Sequence, residues 1–283
     1  MNWNTRNSKA HDRLRTRRWR NVAICALVIS LYSMVVLRMN STLEGSAFFT
    51  GYTLIGTLFF LAAFNLRKKI TFLPQLGSSA FWMQLHIYVG LATFLIFAFH
   101  INLSVPQGGF ERLLGGVYLF VAGSGIYGLY ITRSIPRKLT QLPTEPLFEA
   151  IPSMRNRISR QAEAIVEASS ATTNVLRSLY FKRLVNYFNK SRGLSYALAP
   201  SARHSRQLVD EIEKQDRFLS GEERKLGKQL AQLVRERDDL DYHYAMQGRL
   251  KCWLIIHVGF TYSLLILSVL HGIMAHAFSG GVR

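Results

Sequence analysis

Residues 79–103, SAFWMQLHIYVGLATFLIFAFHINL, and residues 252–278, CWLIIHVGFTYSLLILSVLHGIMAHAF, decide how this chain is read. Neither stretch contains Asp, Glu, Lys or Arg, and each is long enough to cross the ~30 Å hydrocarbon layer of a bilayer as a helix. Each carries two histidines fourteen positions apart: His86 and His100 in the first, His257 and His271 in the second. Fourteen residues of α-helix rise ~21 Å and complete just under four turns. Both imidazoles of a stretch therefore leave the same face, one towards each side of the membrane. A single histidine in such a helix reads as hydrogen-bonded packing or as a step in a polar pathway. Four of the chain's eight histidines, at one spacing in two spans, read differently. Two such helices side by side would offer two opposed pairs, His86 with His257 and His100 with His271, one above the other. Imidazole is a standard axial ligand of haem iron, and the geometry suits two six-coordinate haems stacked across a membrane.

The chain has 283 residues, is 49% apolar and carries a net charge of +18, with a mean hydropathy of +0.10. These averages conceal strongly apolar blocks and one long polar block. A charge of this size can mark nucleic-acid binding. Here the basic residues collect beside apolar spans, which fits the positive-inside bias and contact with anionic headgroups, and no nucleic acid is expected as a partner. The two cysteines, Cys25 and Cys252, form no CxxC or CxxCH. Neither a covalent c-type haem nor an iron–sulfur cluster is encoded, so any haem is held non-covalently, as haem b.

In order, the sequence predicts a basic N-terminal segment (1–21), four spans within 22–131, a polar block (132–251), a fifth span (252–278) and a short tail (279–283). The first apolar run, about 22–37, has the basic flank of a signal peptide but no clean cleavage site, and reads as a retained helix. The second span, about 47–66, is followed by Arg67, Lys68 and Lys69 and by the breakers Pro74 and Gly77. The third span is set at 79–103 and the fourth at about 113–131. The fourth carries Gly115, Gly116, Gly123, Gly125 and Gly128. With Gly90 and Gly259, these glycines read either as close helix packing or as room for a flat macrocycle.

The polar block opens with TRSIPRKLTQLPTEP, where Pro136, Pro143 and Pro146 forbid a continuous helix. A helical stripe follows over about 153–190, then a loop (191–202) and a helix (203–219). Ser220 and Glu223 have the spacing of a capping box. From there Leu226, Leu230, Leu233, Val234 and Leu240 predict one helix running straight into the fifth span. The expected fold is an all-α integral membrane protein: a haem-binding bundle of five transmembrane helices with a helical cytoplasmic insertion between helices 4 and 5.

Charge sets the expected orientation. The N-terminal segment, Arg67–Lys69 and the polar block fall on one side, assigned to the cytoplasm, and the opposite loops carry only isolated cations such as Arg38, Arg112 and Arg283. The third and fifth spans then run in the same direction. His86 and His257 share a level near the cytoplasm, and His100 and His271 share one near the outer side, where the C-terminus also lies. A bacterial inner membrane is the expected location. This topology uses charge and length alone, yet it pairs the histidines.

Parallel spans bearing histidines at this spacing resemble the di-haem membrane cytochromes b. These include the cytochrome b subunit of quinol–cytochrome c reductases and the membrane domain of ferric reductases and NADPH oxidases, where the ligands also lie on the third and fifth spans. The resemblance rests on His86, His100, His257 and His271 and covers the membrane part only. It implies two bis-histidine haems b and electron transfer across the bilayer. Ferric reductases usually add a sixth span and a flavin and nicotinamide domain. Here Arg283 soon follows the fifth span, and the polar block has no glycine-rich dinucleotide fingerprint.

The expected function is therefore a b-type di-haem cytochrome, the membrane subunit of an oxidoreductase complex. Expected partners are membrane lipid, other redox subunits docking on the insertion or as an outer-side cytochrome, and quinol, with quinone a further candidate cofactor. Three alternatives stand beside it: a self-contained quinone or metal reductase using the same haems, a histidine-based proton or metal transporter without haem, and a membrane scaffold. Arg249 and Lys251 on the cytoplasmic side and Arg112 on the outer side are candidates for haem propionates, or else ordinary interfacial anchors. His276 is a candidate for a quinone or proton site, or an interfacial histidine. The run DDLDYHY (238–244) reads first as a solvated helix face and second as a docking or proton-feeding surface.

Overall fold

The computed structural model describes residues 3–41, 46–66, 78–143, 145–169 and 175–279. The cluster Arg67–Lys69, the breakers Pro74 and Gly77, and Arg283 lie outside them. Among the described residues every regular element is helical. Five helices are long and apolar enough to cross a membrane: α1 (Trp3–Ser41) over Trp19–Asn40, α2 (Ser46–Leu66), α3 (Ser79–His100), α4 (Gly109–Leu139) and α10 (Gly221–Ser279). Their most apolar windows are only 6% to 17% buried within the chain. Apolar surface left open on that scale is suited to lipid. α1 begins far ahead of the expected Val22, because the Arg-rich segment before it is a good helix former.

The chain divides into two compact units, one of Met1–Ile126 with His257–Arg283 and one of Tyr127–Ile256. In the first, Ser78 caps α3 by accepting a hydrogen bond from the Phe81 amide at 3.2 Å. α3 ends at His100 rather than at the expected Leu103. Asn102 and Leu103 adopt left-handed φ values of 49° and 53°, and the Leu103 amide donates back to the Ala98 carbonyl at 3.0 Å, a bond pattern that closes a helix. The core of this unit joins Leu54 and Leu58 of α2, Ile96 of α3, Tyr118 of α4, and Leu264 and Leu265 of α10. Thr93 and Leu264 each lie seven residues from both histidines of their helix, two turns either way, so they sit at the midpoint of the histidine face. Both are buried. The Tyr118 hydroxyl donates to Thr93 Oγ1 at 3.0 Å, and its ring stacks on Phe97 with centroids 4.2 Å apart. The two histidine levels are thus separated by packed protein.

The second unit holds α5 (Ile151–Ser169), α6 (Val175–Leu179), a π-helical turn (Tyr180–Leu184), α7 (Val185–Asn189), α8 (Leu194–Leu198), α9 (Arg203–Lys214) and the first part of α10. Ile158, Ala162 and Val166 of α5, Leu208 and Ile212 of α9, and Leu230 and Val234 of α10 form its core at helical spacing. Two expectations are corrected here. α4 runs through Pro136 to Leu139. A proline so near a helix end removes only one backbone bond, and the Thr140 amide still closes on the Pro136 carbonyl at 3.0 Å. The predicted loop 191–202 contains the short helix α8. Glu223 accepts from the Ser220 amide at 3.0 Å, the glutamate half of a capping box, and α10 then continues unbroken for 59 residues.

The run DDLDYHY is no solvated face. Asp241 and His243 are 2% and 1% exposed. Asp241 is paired with Arg155, with Arg192 at 3.0 Å and with Arg237 at 3.5 Å, while Arg192 also reaches Asp238 at 2.5 Å. Residues three apart share a helix face, and this face turns into the unit's interior. Burial pushes the Asp241 carboxyl up from the ordinary aspartate range, and the three guanidinia pull it back.

Candidate functional site

All four span histidines lie in the first unit. The His100 and His271 rings have centroids 6.2 Å apart and planes at 87°. His86 and His257 lie fourteen residues before them on the same two helices. The structure thus brings the His100–His271 pair together. Two imidazoles bound to opposite sides of one metal, each through a bond of ~2 Å, have ring centres roughly 6 Å apart, and the His100–His271 spacing fits that arrangement.

The surroundings of the His100–His271 pair are mainly apolar. Among the described residues no group of three or more His, Cys, Asp or Glu could hold a metal. Two imidazoles are an incomplete set for a bare cation but supply both axial positions of a haem. A cavity of ≈ 220 Å³ is lined by His100, His271 and apolar residues including Leu58, Phe97 and Leu264. The glycines separate into classes. A Cβ added at Gly90, Gly116, Gly123 or Gly259 would meet nothing within 4 Å, so these four do not serve close helix packing. At Gly128 it would fall 1.8 Å from the Trp253 ring, which is close packing within the second unit. At Gly51 and Gly125 it would approach His100 and His257 at 3.0 and 3.6 Å.

Hydroxyl groups meet two of the histidines. Thr50 Oγ1 is 3.2 Å from His100 Nδ1, and Ser124 Oγ is 2.7 Å from His257 Nδ1. The His86 ring tilts against Phe64 with centroids 5.1 Å apart and lies by the Leu61 backbone, and its Nδ1 is buried with no partner at hydrogen-bond geometry. Thr50, Gly51 and Ser124 were not readable as site residues. They sit on other helices, 50 and 133 positions from the imidazoles they touch in the two hydrogen bonds, and a small hydroxyl in an apolar span carries no pairing signal.

The basic residues assigned to propionates have protein partners. Arg249 Nε donates to the Ala197 carbonyl at 2.7 Å and the same guanidinium bonds the Leu198 carbonyl. Lys251 pairs with Glu149 and sits 4.1 Å over the Phe148 ring. Arg112 donates to the Gln107 carbonyl at 3.0 Å. Arg249 and Lys251 belong to the second unit. His276 bonds the Tyr52 hydroxyl and lines the same cavity as His100 and His271. No protein-family model, no curated protein and no solved structure matches this chain.

Proposed function

We propose that this chain is a b-type di-haem membrane cytochrome that carries electrons across a bilayer as a subunit of an oxidoreductase complex. The observation that supports it most is the approach of the His100 and His271 rings to 6.2 Å between centres; His86 and His257, on the same two helices, are the second expected pair. His100 with His271 would hold one haem b, and His86 with His257 the other. A haem held there would supply a one-electron couple. The chain's own residues do the rest. Apolar walls from Leu58, Phe97 and Leu264 would flank the group at the outer pair, and the buried Thr93, Tyr118 and Leu264 pack between the levels. Positive charge puts the insertion in the cytoplasm, where a partner redox subunit would dock on it. Deleting residues 155–245 without loss of electron transfer to that partner would refute the docking role.

The decisive measurement is a pyridine haemochrome assay on the purified chain, with a reduced-minus-oxidised spectrum. Two haems b per chain are expected, falling to one in His100→Ala and in His257→Ala. A colourless protein overturns the proposal and favours the transporter or the scaffold. The Tyr52–His276 pair on the wall of the outer cavity favours, as a second reading, a self-contained reductase with a quinol site there. Turnover of a quinol by the isolated chain, lost in His276→Phe, distinguishes that reading from a subunit that needs a partner.

A further inference from the structure

Two dipeptides on different helices repeat one arrangement. Thr50–Gly51 of α2 lies against His100, and Ser124–Gly125 of α4 lies against His257. In each, a hydroxyl stands at Nδ1, 3.2 Å away in the first and 2.7 Å in the second, and a glycine follows beside the ring's Cε1 edge. A hydroxyl has one proton to give. Thr50 Oγ1 donates to the Ser46 carbonyl at 2.8 Å, and Ser124 Oγ donates to the Val121 carbonyl at 2.7 Å. Towards the imidazole each oxygen is therefore an acceptor. Nδ1 must carry the hydrogen, and the lone pair is left on Nε2.

We propose that Thr50–Gly51 and Ser124–Gly125 are positioning elements that lock His100 and His257 as Nδ1–H imidazoles and reserve Nε2 as the ligand nitrogen. At least one anchored histidine then stands in each opposed pair. An imidazole whose Nδ1–H is held by an acceptor is fixed in orientation and is a stronger donor through Nε2. The two glycines are not equivalent. A methyl at Gly51 would lie 3.0 Å from His100 Cε1 and push the ring, whereas one at Gly125 would lie 3.6 Å from His257 Cε1, an ordinary contact. Only the use made of Nε2 rests on the di-haem reading; the tautomer is a property of the chain itself.

The test is nitrogen-15 NMR of the full-length, histidine-labelled chain, prepared without haem in lipid nanodiscs, with ring signals assigned by single His→Gln replacements. His100 and His257 should appear as neutral Nδ1–H tautomers. Thr50→Val and Ser124→Ala should each release one of them into a tautomer mixture, and Thr50→Ser should keep it locked. Gly51→Ala should move the His100 signals, and Gly125→Ala should leave those of His257 in place. Finding Nε2–H at either histidine in the unaltered chain overturns the proposal, even if every variant misfolds. In the haem-loaded chain, Thr50→Val should raise the midpoint potential of one centre of the two. A colourless chain with locked tautomers sinks the di-haem reading and leaves this inference standing. A two-haem chain whose potentials ignore Thr50→Val and Ser124→Ala does the reverse.

Discussion

The two units use their polar groups in opposite ways. In the insertion, ionisable side chains are buried against one another: Asp241 meets Arg155, Arg192 and Arg237, and the Tyr187 hydroxyl donates to the Val234 carbonyl at 3.1 Å. Those groups hold helices together. In the membrane bundle the polar side chains are few, and several converge on imidazoles. Thr50 and Ser124 each engage one ring nitrogen. The difference separates structure from function more clearly than burial does. A buried carboxylate ringed by guanidinia ties helices to one another, whereas the imidazoles of the bundle are met by single hydroxyls from neighbouring helices.

The sharpest way to break this contrast is to remove the centre of the insertion's network. Asp241→Ala leaves the buried Arg155 and Arg237 without their counter-charge, and breaking a buried pair from one side costs ~3–5 kcal/mol. The insertion should become sensitive to pulse proteolysis, while the histidine NMR signals of the bundle stay in place. Replacing Asp241, Arg155 and Arg237 together by apolar residues of similar size should restore much of the loss, since such swaps are often neutral. A proteolysis midpoint unchanged in Asp241→Ala would show that the network contributes nothing to holding the unit.

A smaller effect is expected where helices touch. A Cβ at position 128 falls 1.8 Å from the Trp253 ring, so Gly128→Ala forces the indole to shift, at ~1–3 kcal/mol for an overpacked site. Trp253→Leu should relieve most of that cost in the double variant, and a thermal melt of the four proteins measures the coupling. Smaller again is Tyr118→Phe in the bundle. It removes the donor to Thr93 Oγ1 and leaves that oxygen with only its own bond to the Gly90 carbonyl, a loss of about 1 kcal/mol. Denaturant unfolding in micelles should show a shift of that order, with no change in the histidine NMR signals.

Five apolar spans and one unbroken helix leading into the last could be read directly from the sequence. Hydropathy fixes length, and from Ser220 to Trp253 no proline interrupts the period of Leu226, Leu230 and Leu233. The four histidines were legible for the same reason: their spacing is a local property of each helix. What could not be read depends on which helix faces which. DDLDYHY has the composition of a solvated stretch, and only the packing of α5 and the segment around Arg192 against it turns Asp241 inward. Thr50 and Ser124 look like any small hydroxyl in a membrane span until α2 and α4 are set beside the imidazoles. Pro136 misled in the other direction: α4 carries it within its last turn and ends only at Leu139.

The weakest expected effect tests whether burial, rather than ion pairing as such, makes the Asp241 network matter. Lys251 and Glu149 form the same kind of bond, but their side chains are 50% and 74% exposed, against 1% for Asp241. The bond from Lys251 holds the Glu149 carboxyl below the ordinary glutamate range. A carboxyl depressed in the folded state contributes its stability in full above its unfolded value and loses it as pH falls through the folded one. The difference in unfolding midpoint between the natural chain and Glu149→Gln should therefore be small at neutral pH, vanish on acidification and shrink with added salt, because water and ions screen an exposed pair. The corresponding difference for Asp241→Asn should be large at neutral pH and resist salt. Equal salt sensitivity in the two variants would mean that solvent reaches Asp241, and burial would not be what sets its network apart from the exposed pair.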